Sequence, residues 1–279
     1  MARPHICFLQ SQSLPWREHS WLGKDDVKAK FLSVDDDSGA YTAVFELPAG
    51  YQHNGSFAFS ADFEILVLAG RVSLDAIELG LQDYALIPAG VAINRVSSSG
   101  ATLLAMPLGS AALAGPTKSS RPIVYHHTFS MPWLTGMEGS VTGKPLGGTI
   151  STKKLRNDPA TGGQTFLYGA LAQHPPPKVM PGRFTHPMVE EIFVLAGEFT
   201  FGDTGRMGPG GYVWWRENKQ HGPVGSEAGY HMLIRVHGGH LKNEFSKQPA
   251  PFRYDADYAP QLPEELREIA KPYPRPARW

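Results

Sequence analysis

Cysteine is almost missing from this chain. Cys7 is the only one in 279 residues, so no disulfide can form within it, and the expected compartment is a reducing one, the cytoplasm. No run of 18 apolar residues occurs, so no transmembrane helix and no membrane partner are expected. The apolar stretch from Ile6 to Gln10 is also too short for a signal peptide. An excess of one charge is absent as well: 26 basic and 26 acidic side chains cancel. With no basic stripe either, the usual footprint of a nucleic-acid binder is lacking. Long helical periodicity is scarce. Turn residues are plentiful instead, 30 Gly and 24 Pro, and they punctuate short β-rich runs such as Tyr41–Leu47, Phe63–Ala69, Tyr84–Ile87, Gln164–Leu171, Tyr212–Trp215 and Tyr230–Val236. Short runs with this punctuation predict an all-β sandwich or barrel.

The chain contains the same unit twice. Lys30, Leu32, Gly39 and Thr42 match Lys153, Leu155, Gly162 and Thr165 at an offset of 123. Val67-Leu68-Ala69-Gly70 returns as Val194-Leu195-Ala196-Gly197 at 127, and Tyr84 returns as Tyr212 at 128. A tryptophan, Trp16 or Trp133, precedes each unit. The slow drift of the offset marks insertions in loops, where they are tolerated. A repeat this long is a duplicated domain rather than a solenoid unit. The expected boundaries are 1–115 and 122–250, joined through the Gly-, Pro- and Ser-containing segment 111–121. In 251–279 the stretch Pro263–Lys271 predicts one short helix, which the Pro-rich tail cannot continue. Asp35-Asp36-Asp37 has its counterpart in Asn157-Asp158-Pro159, so both read as hairpin turns before Gly39 and Gly162 rather than as acidic metal sites.

The chemistry-bearing residues fall in the second unit. His186 and Glu190, then His221, supply two imidazoles and a carboxylate, a set suited to one divalent ion: Fe(II), Zn(II), Mn(II) or Ni(II). In a straight strand, residues four apart would be about 13 Å apart, so the chain must bend between His186 and Glu190, with Pro187 the plausible place. Glu191 competes for the carboxylate role, since alternation puts only one of the two inside.

At these residues the sequence resembles the cupin superfamily. Its first motif runs through His-x-His, a Glu and a Gly, and His186, Glu190 and Gly197 match it. Its second, a Pro-Gly turn followed by a strand and a late His, is similar to Pro209-Gly210 and His221. Taken whole, the chain resembles two-domain cupins of the ChrR-like and acetylacetone-dioxygenase-like kind. The resemblance implies two tandem jelly-roll-like β-barrels, with a metal inside and its ligands on neighbouring strands. The sequence departs from the pattern where the first motif histidine would stand, at Phe184. What remains is a two-His, one-carboxylate triad with open positions, as in non-haem Fe(II) oxygenases. His174 is a candidate fourth ligand, and a weakened site holding no metal is the remaining alternative. In the first unit the equivalent positions are Phe59, Phe63 and Ile93, so that unit is expected to be packed rather than metallated.

The expected function is that of a metal-dependent enzyme, an Fe(II) dioxygenase cleaving a carbon–carbon bond in a small diketone, hydroxyketone or phenol-like substrate. That reaction type comes from the resemblance and not from any residue. The alternatives are a non-catalytic metal- or ligand-sensing module and a Zn-dependent hydrolase or isomerase. A substrate wall is expected from Phe184, Met188, Tyr212, Trp214 and Trp215, and the partners are a small-molecule substrate and a second copy in a homodimer.

Overall fold

The computed structural model describes residues 3–110, 112–117, 119–172, 182–202 and 204–272. His174 and the end of the Pro-rich tail lie outside them. The architecture is all-β, in two compact units. The one α-helix among the described residues is a single turn, Glu264–Arg267, within the stretch where a helix is expected. No helix among them is long and apolar enough to cross a membrane.

In the first unit the main sheet runs in the order Val124–His126, Tyr84–Ile87, Phe63–Leu74, Ile93–Pro107, Tyr41–Phe59, Lys24–Val34, Arg17–Trp21. In the second, the six-stranded sheet runs Ile6–Gln10, Gly211–Trp215, Val189–Gly197, Tyr230–His237, Gln164–Ala170, Ile150–Asn157. The first six strands of the one correspond in order to the six of the other, and Arg17–Trp21 is an addition to the first unit. A two-stranded sheet (Gly182–Thr185 with Glu244–Pro249) and a three-stranded one (Gly205–Met207, Phe199–Phe201, Val224–Gly225) complete the second unit.

The duplication extends to individual contacts. Lys30 stands over the Trp16 ring at 4.5 Å, and Lys153 over Trp133 at 4.7 Å. The Tyr84 hydroxyl donates to Glu64 at 2.8 Å, and the Tyr212 hydroxyl to Glu191 at 2.7 Å. The amides of Gly39 and Gly162 donate back to the carbonyls of Asp35 and Asp158, closing the two expected hairpin turns. Gly70 and Gly197 both have positive φ (73° and 74°), and a Cβ at either would collide with a backbone carbonyl, Gly100 or Gly229. Only glycine fits there, which accounts for a glycine at the same place in both copies.

Each unit packs its own core from alternate strand residues. In the first, Phe59 and Phe63 stack at 4.3 Å and are buried with Ile93 in one apolar cluster. The second core contains Phe166, Ile192, Val194, Val213, Trp215, Met232 and Ile234.

The division of the chain differs from the expected boundaries at the leading strands. Residues 5–13 belong to the second unit, and the first unit extends to Met131. Ile6–Gln10 is the edge strand beside Gly211–Trp215, with Leu9 opposite Tyr212. Val124–His126 is the edge strand beside Tyr84–Ile87, with His126 opposite Tyr84. Leu9 and His126 are therefore equivalent, at the same 117-residue offset as Trp16 and Trp133. Each repeat's leading strand pairs in the unit built from the other repeat. Proximity in sequence pointed the other way, and edge pairing overrode it.

A fragment spanning 132–279 is therefore expected to lack an edge strand and to expose the backbone of Gly211–Trp215, an association hazard. It should be less stable than the second unit of the whole chain and should aggregate, by thermal melting and light scattering. A synthetic peptide covering 5–13 should reverse both effects by strand addition.

Candidate metal centre

Three side chains of the second unit, two of them four residues apart and the third about 30 residues further on, meet in its interior. His186 follows the end of strand Gly182–Thr185, and Val189–Gly197 begins three residues later. Pairing is broken at 186–188, the bend that the His186–Glu190 spacing demands. Glu190 enters on the next strand, opposite Trp215 on one side and Val236 on the other. His221 sits in the loop after Gly211–Trp215, where its backbone exchanges two hydrogen bonds with Phe184, 2.9 and 3.0 Å long.

His186 Nε2 lies 3.0 Å from Glu190 Oε2, and His221 Nε2 lies 3.1 Å from His186 Nε2 and 3.8 Å from the same Glu190 oxygen. All three residues are buried. The protons of both rings are held on the far side. His186 Nδ1 donates to the Lys242 carbonyl at 3.0 Å, and His221 Nδ1 to the Lys219 carbonyl at 2.8 Å. When both rings are neutral, each Nε2 turns a lone pair toward the other and toward a carboxylate oxygen, an unfavourable meeting of electron pairs that a cation among them, or a proton on His186, relieves. An ion about 2.0–2.2 Å from each donor needs donors roughly 3 Å apart at right angles. Two of the three separations meet that, and the third is somewhat wider. The donor set fits one divalent ion, and this is the only such cluster among the described residues.

The electrostatics treat the two rings differently. Burial alone would lower the pKa of His186, but the Glu190 carboxylate and the Lys242 carbonyl raise it above the usual histidine value. Burial pushes His221 down to about 4, with His186 adding to that and Glu190 opposing it. Burial would raise Glu190, yet the two imidazoles hold it below the ordinary carboxylate range. A ligand set requires the carboxylate charged and both imidazoles neutral, so a proton that His186 holds against Glu190 must leave when an ion binds.

The neighbouring Glu191 is not part of the set. It points to the other face of the sheet, where Arg235 pairs with it at 2.5 Å and Tyr212 donates to it. Strand alternation separates the two carboxylates, as the register Glu190–Trp215 and Glu191–Trp214 shows.

A cavity of about 240 Å³ opens onto Glu190 and His186. Of the expected substrate wall, Phe184 and Trp215 line it. The Phe184 ring sits edge-on to His221 at 4.4 Å, and Trp215 stacks on the same imidazole at 3.7 Å. Tyr212 and Trp214 do not reach it, because they alternate to the Glu191 face. Met188 packs in the core instead. The sequence reading missed Tyr168, Phe199, Tyr230, Met232 and Phe245, which also line it. The available signal was strand parity: Tyr168, Met232 and Tyr230 share the inward face with Glu190 once strand order is known, and strand order is not visible in a single sequence.

Residues 124–241, which include all three candidate ligands, match the family described as the ChrR Cupin-like domain. A comparison with curated protein sequences finds no match. Among solved structures the chain is similar to a candidate dioxygenase from Nostoc punctiforme, with a TM-score of 0.69 and 23% identity, over 84% of this chain and 87% of that one. It is also similar to oxalate decarboxylase from Bacillus subtilis (TM-score 0.54, 11% identity, 87% and 78% covered). A third likeness is to salicylate 1,2-dioxygenase from Pseudoaminobacter salicylatoxidans (0.51, 9%, 75% and 76%). At these identities the likeness is one of fold. The chain has the cupin fold, built twice, and its second half matches the ChrR cupin-like family.

Proposed function

We propose that this protein is a metal-dependent oxygenase whose second unit holds one Fe(II) ion on His186, Glu190 and His221 and cleaves a carbon–carbon bond in a small diketone, hydroxyketone or phenol-like substrate. The observation that carries the reading is the convergence of two Nε2 lone pairs and one carboxylate oxygen, with both Nδ1 protons tied to backbone carbonyls. Two imidazoles and one carboxylate with open positions are the ligand set of non-haem Fe(II) oxygenases. Two of the similar structures are named as dioxygenases, which accords with the reading, although the same fold also serves a decarboxylase.

When bound, the ion would supply Lewis acidity toward substrate oxygens and a meeting point for substrate and dioxygen. Dioxygen is the oxidant in this reading, and both of its atoms end in the two carbonyl or carboxylate fragments. The chain's own residues do the rest. Lys242 and Lys219 hold the ring tautomers through their carbonyls. Phe184, standing where a third imidazole would be, leaves that side of the centre without a ligand and walls the pocket. Trp215 fixes the plane of His221 by stacking. The apolar lining, with Ile192, Ile234, Leu241 and Phe245, keeps water from the reacting atoms. At about 240 Å³ the cavity is smaller than those that take drug-sized ligands, so the substrate is small.

Protein purified without chelator and reconstituted with Fe(II) should carry one ion per chain and consume oxygen with some member of a panel of small diketones, hydroxyketones and phenols. One bound ion with no oxygen uptake across the panel would instead favour a metal- or ligand-sensing module. Replacement of His186, Glu190 or His221 by Ala should abolish metal retention, measured by elemental analysis. Glu191→Ala should retain the ion but destabilise the protein by about 3–5 kcal/mol, because Arg235 is left buried without its carboxylate; chemical denaturation separates the two outcomes. Phe184→His should place a third imidazole at the centre, slow metal loss to a chelator and lower turnover.

A further inference from the structure

Two tyrosines line the same cavity as His186 and Glu190 and have no place in holding an ion. Tyr168 lies on strand Gln164–Ala170 and Tyr230 begins strand Tyr230–His237. Their rings stack almost parallel, centroids 6.1 Å apart at 10°, so the two phenols face the cavity side by side. Tyr230 is 7% exposed, and the Glu190 carboxylate acts on both phenols. Neither hydroxyl has a hydrogen-bond partner among the described residues. Two donors left open on a largely apolar cavity wall are free to donate to a ligand that accepts from them. Burial and then the nearby carboxylate raise the pKa of Tyr168, and burial, Tyr168 and Glu190 raise that of Tyr230. Both therefore stay protonated donors.

The first unit supplies an internal control. Its strand register pairs Phe45 with Leu103, as the second unit pairs Tyr168 with Met232. It pairs Gly70 with Ala101, as the second pairs Gly197 with Tyr230. The counterparts of the tyrosines are thus Phe45 and Ala101, both buried in the apolar core. The unit that replaces all three ligands by Phe59, Phe63 and Ile93 also has neither hydroxyl. Packing alone does not require phenols at these places; they occur only beside the metal-binding residues.

We propose that Tyr168 and Tyr230 are the substrate-recognition pair of this pocket, donating hydrogen bonds to the oxygens of a small planar oxyanion of the enolate or phenolate class. This rests on the metal-dependent reading of the same site and adds what that site selects for. A planar ligand lying beside two parallel rings satisfies the open donors, whereas a planar molecule without oxygens would strand them, and that penalty is the source of the discrimination.

The test uses the full chain loaded with Zn(II), so that binding is read without turnover, and 4-nitrocatechol as the probe, whose visible spectrum reports its ionisation. The parent protein is expected to bind it as the anion and to bind nitrobenzene far more weakly. Tyr168→Phe and Tyr230→Phe should each weaken 4-nitrocatechol binding by about 10- to 100-fold, the loss of one charge-assisted hydrogen bond. Metal content, melting temperature and the weak nitrobenzene binding should be unchanged. Unchanged 4-nitrocatechol affinity in both variants, with metal and melting as in the parent, overturns the proposal. So does loss of the ion from the Phe variants, which would make the phenols part of the metal's support, or absence of 4-nitrocatechol binding to the parent. A lack of oxygen uptake by the Fe(II) form counts against the oxygenase reading alone, because this binding experiment does not depend on it.

Discussion

The hydrogen bonds from His186 Nδ1 to the Lys242 carbonyl and from His221 Nδ1 to the Lys219 carbonyl govern the chemistry of the second unit. With those protons fixed, each Nε2 carries a lone pair into the space beside Glu190. If either ring took the other tautomer, its inward nitrogen would become a donor, and the three groups could satisfy one another as a closed hydrogen-bonded cluster. The backbone around positions 219 and 242 thus keeps the site open to a cation. Trp215 and Phe184 limit ring motion around the same imidazole, so orientation and tautomer are set together.

The two units show how one architecture carries a reactive centre in one copy and packing in the other. The edge-on and stacked aromatics Phe57, Phe59 and Phe63 fill the first core. They stand where Phe184, His186 and Glu190 stand in the second. What both copies retain is on the far side of the sheet and in the turns: the Tyr84–Glu64 and Tyr212–Glu191 hydrogen bonds, the tryptophan–lysine pairs, and glycines that no side chain can replace. Those features belong to the construction of the sheet, which both copies need. The polar triad costs desolvation, and it occurs only in the copy where a ligand set can offset that cost.

The fold and the three converging residues were legible in the sequence because they depend on local or repeated signals. Short runs between Gly and Pro marked the strands, the recurrent Val-Leu-Ala-Gly marked the duplication, and the spacing of His186 and Glu190 required a bend. Parity alone left Glu190 and Glu191 open, and only the register against Trp215 and Val236 separates them. The pocket was less legible. Tyr212 and Trp214 were expected in it because they are aromatic and close in sequence to the site, yet each faces away by one residue of alternation. Tyr168 and Tyr230 went unremarked because their nearness to Glu190 arises from strand order, a long-range property. The edge strands were hidden for the same reason: nothing local in Ile6–Gln10 states that its partner is Gly211–Trp215.

The exchange of leading strands imposes an order on biosynthesis. Ile6–Gln10 leaves the ribosome about 200 residues before the strand it pairs with. At roughly 5–20 residues per second, this apolar segment waits on the order of 10–40 s without its native neighbour. The first repeat, for its part, remains without its edge until Val124–His126 has emerged. Neither half is finished when its own stretch of chain has been synthesised, so nascent chains expose an unpaired apolar strand throughout that interval. Protection of that segment by a chaperone, or its transient pairing elsewhere, then becomes a determinant of how much functional protein a cell obtains.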